Sequence, residues 1–593
     1  MSGSGSARGS ARGWARRLAR AWAGVARVDR RDAAALIGCL AVAALLRLHG
    51  LETRGTWDGD QGHDMLVLRS FVRDGVVPLL GPPTSIGDVH HGAWYYYLLS
   101  PAAWLTGGDS PFAVVALIAL GGIAAVGVTW WLARSIAGPL AGLVAALAMA
   151  VSAAAIDEST FIWNPNLIAL SSSVALAGAW RAWSGGRTAW WIVAAVGTAV
   201  TMQLHVLGVT LLPVVAALFV ADWRRGRSEG SPGRAGAIGL VVIVASYLPL
   251  IANEWLHDFS ETKAALEYLT GGREAASAAF PIRVGIVGLR VVSWPLTGLI
   301  TSGFLASVAA TTAIVGIVAW RWRRPAGAAV GAGAAGGAGP AGDTGPAVGA
   351  GASRAAGASR AAEAVAVRWL GLGLLWSALF LALAAPSLTT VVPGLPNDHY
   401  HAFADPMVFI LLGIGAAAVP RSVPGRAILV AALTALLAWN VTHWPPFEHP
   451  DGGFPEATAG AERVDAVLTS AGIEREVPVL LRSLPDFKST EAVAYPLVRL
   501  GRTVIAETPD GLAPGSAGGP GSGSSGSGSL PASPTGLVLL CDSLFETAIG
   551  ATCGGVAESS VATDAGGRDV GPLLDRFEVA PGRWVSVYGR GSG

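Results

Sequence analysis

Residues 113–132 read AVVALIALGGIAAVGVTWWL, twenty consecutive positions without a charged side chain. An α-helix needs about 20 apolar residues to cross the hydrocarbon core of a bilayer. Similar apolar runs recur through the first three quarters of the chain, and of its 593 residues 52% are hydrophobic and only 14% are charged. Soluble chains carry roughly 25% charged residues. The sequence therefore predicts a polytopic α-helical membrane protein.

The apolar runs predict about eleven transmembrane helices. Arginine-rich segments fall alternately between the runs, and such segments gather on the cytoplasmic side of a membrane. All of these arginine-rich segments lie on the cytoplasmic side only if residues 92–106, which include three consecutive tyrosines, do not cross the membrane. We predict that this segment lies in the interface, where Trp and Tyr rings prefer to sit; a short true span is the alternative. The predicted spans are 33–50, 112–133, 138–155, 166–183, 188–204, 206–221, 236–252, 300–320, 367–385, 404–419 and 426–442.

This topology divides the chain into a basic cytoplasmic tail (1–32), a transmembrane domain (33–442) and an extracytoplasmic region (443–593). The last region has no predicted span, and strand-like runs such as VPVLLRSL alternate with helical stretches, which predicts a small α/β domain. Glycine-rich composition predicts a disordered cytoplasmic linker at 325–365 and a flexible insert at 511–534. Cys541 and Cys553 are close enough in sequence to pair, in an oxidising compartment only.

The first outer loop, residues 51–111, opens with WDGDQGHD at positions 57–64. Three carboxylates and one histidine therefore follow directly after a predicted membrane helix. A charged side chain costs about 2.5–3.5 kcal/mol at the bilayer centre and less at the interface. The cluster indicates either free access to water or a functional role, and a merely solvated acidic loop is the alternative.

This acidic loop and the following HHGAWYYYLLSPAAWLTGGDSP resemble the GT-C superfamily, in particular its protein-mannosyltransferase and aminoarabinose-transferase-like branch, glycosyltransferase family 39. Asp60-Gln61 matches the acidic pair of that branch, and GAWYYY at 92–97 matches its Gly-Pro-x-Tyr-Tyr-like element, with Ala in place of Pro. WNPN at 163–166 resembles its second outer turn, and QLH at 203–205 a histidine-bearing segment. The chain departs from the pattern at Gln61, which replaces a second carboxylate, and before Trp163, where an arginine is missing.

The resemblance implies a glycosyltransferase that moves a sugar from a polyprenyl-phosphate donor to a hydroxyl of a glycan, lipid or protein acceptor. The reaction is expected on the extracytoplasmic face of a bacterial inner membrane. A carboxylate within reach takes the proton of the hydroxyl, and we predict Asp60 for this base, with Asp58 second. The leaving phosphate needs cationic or N–H donors. The predicted donor- and acceptor-binding residues are Gln61, Asp64, His90, His91, Tyr96, Asn164, His205, Arg283, Arg290, His399 and His401.

Two features resemble metal sites. Asp58-Gly59-Asp60 has the DxD spacing, which often occurs by chance, and the segment Asp398-His399-Tyr400-His401 offers ligands without a second group nearby. The family branch is thought to work without metal, so we predict no metal and no cofactor, and a divalent metal is the alternative. No nucleic-acid partner is predicted, because the net charge is +1 and the basic residues are spread over loops.

Two other functions compete with the glycosyltransferase. A transporter or flippase of lipid-linked sugars is favoured by inverted repeats and carboxylates at the bilayer midplane, and the sequence shows neither. A non-enzymatic membrane scaffold or sensor would leave the acidic loop incidental, so that replacement of Asp60 would have no effect.

Overall fold

The computed structural model describes residues 29–84, 89–226, 230–270, 278–323, 347–389, 398–486, 488–508, 511–512, 536–564 and 570–590. Most of the predicted basic tail, the first part of the predicted linker and nearly all of the predicted insert lie outside these residues.

The described residues between 29 and 442 form a mainly helical domain. Four short 3-10 helices interrupt its described part where predicted outer segments turn, namely Asn164–Leu167, Val206–Thr210, Pro386–Thr389 and Asp398–Ala404. Its helices are α1 Arg30–Leu48, α2 Leu51–Arg54, α3 Gly59–Arg73, α4 Trp94–Thr106, α5 Pro111–Ala137, α6 Pro139–Val151, α7 Ala153–Asp157, α8 Ile168–Gly185, α9 Ala189–Leu204, α10 Leu211–Arg225, α11 Pro232–Ser246, α12 Leu248–Leu256, α13 Ser260–Thr270, α14 Phe280–Thr297, α15 Phe304–Trp322, α16 Ala347–Ala384, α17 Asp405–Ala418 and α18 Val423–Thr442.

The apolar helices make the chain a multi-pass membrane protein. Among the described residues, six helical stretches are long and apolar enough to cross a membrane, or seven if the bent pair α11 and α12 counts as one span. Length and composition thus support fewer spans than the eleven predicted, and α6 and α9 are shorter apolar helices. The six stretches are Pro111–Ala137, Val206–Arg225, Phe304–Trp322, Ser359–Ala384, His399–Ala418 and Val423–Thr442.

Small residues allow close approach of neighbouring helices in this domain. A Cβ atom on Gly197 would lie 2.6 Å from the backbone nitrogen of Ala175, and one on Gly178 would lie 2.7 Å from that of Ala194. Helices α8 and α9 therefore touch backbone to backbone, which is how helices commonly associate where lipid removes the hydrophobic driving force.

Two segments differ in detail from the sequence prediction. The predicted interfacial segment forms α4, a helix of 13 residues whose Tyr95 and Tyr96 are buried against the domain. The predicted linker is partly helical, because α16 begins at Ala347 and runs through the rest of that stretch.

The C-terminal region forms an α/β domain around a six-stranded sheet. Strands β3 Val479–Leu484, β4 Val504–Thr508 and β6 Gly536–Asp542 are parallel, whereas β5 Gly511–Leu512, β7 Leu573–Ala580 and β8 Arg583–Gly589 run antiparallel to their neighbours, in the order β5-β4-β3-β6-β8-β7. A separate pair, β1 Leu80–Pro83 and β2 His90–Gly92, belongs to the first outer loop. The helices of this domain are α19 Gly453–Ser470, α20 Glu491–Arg499, α21 Glu546–Ile549 and α22 Val556–Asp564.

A disulfide joins Cys541, near the end of β6, to Cys553 in the loop before α22. The pairing that the sequence spacing allows is therefore present. The third cysteine, Cys39, is free and buried in α1.

The C-terminal domain packs directly on the first outer loop. Trp57 lies in van der Waals contact with Phe454 and Tyr495, with ring centroids 4.6 and 5.6 Å away, and its indole N–H donates to the carbonyl of Ala492 over 2.9 Å. Helix α20 crosses α3 so closely that a Cβ atom on Gly62 would lie 2.1 Å from the carbonyl oxygen of Glu491. Only glycine fits at position 62 without displacing the backbone of α20.

Candidate active site at the first outer loop

Residues of the acidic cluster also cap the N-terminus of helix α3. The Asp58 carboxylate accepts from the backbone N–H of Gly59 over 2.7 Å, and the Gln61 side chain accepts from the backbone N–H of Asp58 over 2.9 Å. This reciprocal arrangement satisfies the free N–H groups of the first turn of α3. Part of the acidic pattern therefore has a local structural cause.

Asp58 also forms ion pairs with the C-terminal domain. Its Oδ2 accepts from Lys488 Nζ over 2.6 Å and from the Arg583 guanidinium over 2.8 Å. The same two cations lie 3.7 and 3.5 Å from the carboxylate of Asp542. The structure thus places the second predicted base in a four-residue charge cluster that joins the two domains.

Asp60 stands apart from its neighbours. Its side chain is exposed, and no described residue donates a hydrogen bond to its carboxylate. Solvent reaches the carboxylate, but protein surrounds it on most sides, and the resulting desolvation raises the pKa of Asp60 above its ordinary value. Asp58 raises this pKa further, His63 and Lys488 lower it, and Glu491 raises it. The first predicted base is therefore an accessible carboxylate with increased proton affinity.

His63 links the loop to α20. Its Nδ1 lies 3.0 and 3.1 Å from the two carboxylate oxygens of Glu491. Burial disfavours the imidazolium, but the charge and hydrogen bond of Glu491, with smaller effects of Asp64 and Asp60, outweigh it and raise the pKa of His63 to about 9. His63 is therefore a cation at neutral pH.

Asp64 faces the membrane domain. Its carboxylate accepts from the Tyr95 hydroxyl over 2.7 Å and from the Tyr96 hydroxyl over 2.9 Å. Burial raises the pKa of Asp64 to about 7 against the lowering effects of His63 and the two hydroxyls. Asp64 and Tyr96, both predicted to bind a ligand, form a buried contact that fixes α3 on α4.

Two amides connect the first loop to the next outer segments. The Gln61 side chain donates to the carbonyl of Ile162 over 2.8 Å, and the Asn164 side chain donates to the carbonyl of Leu204 over 2.6 Å. The acidic loop, the WNPN turn and the histidine-bearing segment are thereby held in one region. The structure gives both predicted binding residues a bridging role.

Three of the predicted histidines converge in the same region. The ring of His205 lies 4.6 Å from that of His91 and 6.0 Å from that of His399, and Trp163 lies 3.8 Å from His399, all between ring centroids. His91 Nδ1 accepts from the backbone N–H of Val206 over 3.3 Å. Burial, together with the neighbouring His205 and His90, lowers the pKa of His91. The neutral imidazole of His91 thus keeps its other nitrogen as an N–H donor.

The other two predicted histidines lie outside this group. The His90 ring lies 2.8 Å from the carboxylate of Glu261, which also accepts from the His90 backbone N–H. His401 is buried, with its ring 6.4 Å from that of Trp294.

Comparison with solved structures relates this arrangement to known proteins. The chain is similar to ArnT from Cupriavidus metallidurans bound to undecaprenyl phosphate, with a TM-score of 0.53 and 12% sequence identity over 93% of this chain and 97% of that chain. The chain therefore has the fold of that ArnT structure. The predicted GT-C resemblance is thereby confirmed at the level of the fold.

Further comparisons add little to this result. The apo state of the same ArnT gives a TM-score of 0.45 at 14% identity, over 93% of this chain and 97% of that chain. The oligosaccharyltransferase AglB from Archaeoglobus fulgidus, in complex with an inhibitory peptide and a dolichol-phosphate, gives 0.37 at 12% identity, over 81% of this chain and 69% of that chain. No protein-family profile and no curated protein sequence matches the chain.

The two arginines predicted to bind a ligand, Arg283 and Arg290, contact different parts of the structure. Arg290 is buried in α14 and donates to the carbonyl of Leu388. Arg283, two turns earlier on α14, is partly buried, with its guanidinium carbon 5.4 Å from the ring centroid of Phe280. These contacts hold the two side chains to α14 and to the segment after α16, and neither contact involves the acidic loop.

Metal ligands gather in one place within the described residues. Only Cys541, Cys553 and Glu558 bring three candidate ligand atoms within 4.8 Å of one another, and the two sulfurs are bonded to each other. Asp58, Asp60 and the histidines of segment 398–401 do not form such a group among the residues whose side chains are described.

Sequence reasoning missed the contribution of the C-terminal domain. Lys488, Glu491, Asp542 and Arg583 surround the acidic loop although they lie more than 400 positions later. One feature of the sequence could have drawn attention to Lys488 as a functional residue, since it is one of only two lysines in an arginine-rich chain.

A cavity of about 520 Å³ opens on the Gln61 side of the loop. Its walls come from the first outer loop, the second outer turn and α19, and its volume is within the usual range for ligand pockets. Aromatic rings and three carboxylates line it, namely Trp57, Phe112, Phe161, Phe454, Glu52, Asp109 and Glu462. The Asp60 side chain is not part of its wall.

Proposed function

We propose that this protein transfers a sugar from a polyprenyl-phosphate donor to a hydroxyl acceptor at the extracytoplasmic face of a bacterial inner membrane, with Asp60 as the general base. The observation that carries the proposal is the contrast within one loop. Asp58, His63 and Asp64 are all engaged by protein partners, whereas Asp60 is exposed and has no hydrogen-bond donor among the described residues.

The chemistry requires a base at this place. The acceptor hydroxyl must lose its proton as its oxygen attacks the anomeric carbon of the donor, and the C–O bond to the phosphate breaks with its electrons leaving on the phosphate. A carboxylate whose pKa is raised by its surroundings accepts a proton more readily than a free one, provided it is ionised at the working pH.

Stabilisation of the leaving phosphate is assigned to the histidine cluster. His91, His205 and His399 lie next to the WNPN turn, which Gln61 ties to the acidic loop. Their N–H groups are suited to a phosphate group that develops negative charge. Undecaprenyl phosphate in the ArnT structure is consistent with a lipid-linked phosphate as ligand of this fold.

The test uses a deletion strain complemented with variants, with mass spectrometry of envelope glycans as the readout. Asp60→Asn should give the glycan profile of the deletion strain while the protein inserts and accumulates normally. Asp74→Asn, at the exposed far end of α3, is the matched control and should restore the wild-type profile.

Two outcomes contradict the proposal. Wild-type glycans in both Asp60→Asn and the Asp58→Asn/Asp60→Asn double variant would exclude Asp60 as the base and favour a scaffold. Identical glycans in the deletion and wild-type strains would exclude the enzyme itself.

A further inference from the structure

The contact between α3 and α20 brings a charged pair next to Asp60. The Glu491 carboxylate is buried, and it accepts from the Ser489 hydroxyl over 3.1 Å while it holds His63. Gly62, between Asp60 and His63 in the same turn of α3, is packed against the backbone of Glu491. The position of this pair is therefore fixed by backbone contact as well as by charge.

His63 lies on the same side of α3 as Asp60, because residues three apart on a helix are neighbours. The charged groups that face this position come from three elements. Asp60 and Asp64 belong to α3 and Asp58 to its N-terminal cap, Glu491 and Lys488 come from α20 and the turn before it, and Tyr95 and Tyr96 of α4 hold Asp64.

We propose that Glu491 is a positioning residue for sugar transfer, which holds His63 as a cation one turn from Asp60 and so keeps the Asp60 carboxylate ionised. This inference rests on the proposed function. It makes the C-terminal domain a part of the active site, since Glu491 belongs to that domain and α3 to the membrane domain.

The balance of charges supports this role. Without Glu491, the pKa of His63 would fall, because burial disfavours the imidazolium and Glu491 is the principal group that favours it. Asp60 would then lose the influence of two neighbouring charges together: the His63 imidazolium, which favours its ionised form, and the Glu491 carboxylate, which disfavours it. The lowering effect of His63 on the pKa of Asp60 exceeds the raising effect of Glu491, so the pKa of Asp60 should rise in the absence of the pair.

The experiment measures product formation against pH in membrane vesicles that contain the full-length protein, native lipids and endogenous donor and acceptor. Rate falls at acidic pH where the base becomes protonated. Glu491→Gln keeps a hydrogen-bond acceptor for His63 but removes the charge, so the acidic limb of its pH–rate profile should move to higher pH. The maximal rate should return at higher pH.

A second variant separates charge from structure. His63→Lys in the Glu491→Gln background restores a permanent cation and should move the acidic limb back towards the wild-type position. Asp575→Asn breaks the partly exposed Arg463–Asp575 ion pair of the same domain and should leave the profile unchanged.

The outcomes are distinguishable from failure of the proposed function. Product formation that survives Asp60→Asn in the same vesicles would refute the base assignment. If Asp60→Asn is inactive but Glu491→Gln has the wild-type profile, or loses rate equally at every pH, Glu491 has no positioning role.

Discussion

Adjacent side chains in segment 57–64 serve different partners. Trp57 and Asp58 contact the C-terminal domain, Gln61 contacts the second outer turn, and Asp64 contacts α4. Asp60 remains open. The loop is therefore a junction between several elements, and substitution of one of its side chains should weaken mainly the contact with the element that this side chain touches.

Gly62 is a sharp test of the junction. The Cβ atom of Gly62→Ala would lie 2.1 Å from the Glu491 carbonyl oxygen, so α20 must shift. We expect the docking of the C-terminal domain on the first outer loop to weaken by about 1–3 kcal/mol, which should appear as increased protease sensitivity of that domain. Product formation should also fall. Gly285→Ala, where no atom lies within 4 Å, is the control; equal protease sensitivity of the two variants would contradict the prediction.

Trp57 should contribute most of the apolar contact between the first outer loop and the C-terminal domain. Trp57→Ala removes a buried indole, its hydrogen bond to Ala492 and its contacts with Phe454 and Tyr495. Truncation of a buried aromatic side chain typically costs about 3–5 kcal/mol, so thermal unfolding in detergent should occur at a clearly lower temperature. Trp255→Ala, at a side chain that is 77% exposed, should have little effect.

At the scale of elements, the segment between α18 and α19 is anchored to the first outer loop. The carboxylate of Asp451 accepts from the Thr56 hydroxyl over 2.7 Å, from the backbone N–H of Trp57 over 3.1 Å and from that of Gly453 over 2.9 Å. The connection to the C-terminal domain is therefore held at its start as well as through α20.

This anchor predicts an acid sensitivity with a definite sign. Burial opposes the charged form of Asp451, but the hydrogen bonds from His449, Thr56 and Gly453 outweigh it and lower the pKa to about 2. The pKa is depressed in the folded state, so the stabilisation is complete above the ordinary pKa near 4 and is lost as pH falls towards 2. Protease sensitivity of the wild type should rise across that window. Asp451→Asn should be sensitive already at neutral pH and show no such rise.

At the scale of the whole molecule, long apolar runs predicted the membrane helices because a helix must be long and apolar to cross a bilayer. The sequence did not predict the local interruptions of these helices. The predicted span 138–155 is divided at Ser152, whose hydroxyl caps α7 by accepting from the Ala155 N–H over 3.2 Å. The α/β domain followed from strand-like runs, and cysteine spacing allowed its disulfide. The contact of that domain with the acidic loop did not follow, since Asp58 and Arg583 are 525 positions apart and no local pattern reports on such a pair.

Orientation is a prediction for the whole chain. Compartment-sensitive reporters placed at Gly339 and at Gly526, both outside the described residues, should report the cytoplasm and the outside, respectively, because the arginine-rich loops lie on the side of the first. Reporters on the same side would overturn the topology and the location of Asp60 with it.

The salt bridge between Asp58 and Arg583 also has a consequence for biosynthesis. The loop emerges from the ribosome long before its guanidinium partner, which is made 525 positions later. A prematurely terminated chain can insert its helices and still lack the cation and the strand that hold the loop. The first outer loop can therefore reach its folded contacts only after strand β8 has been made and has docked on it.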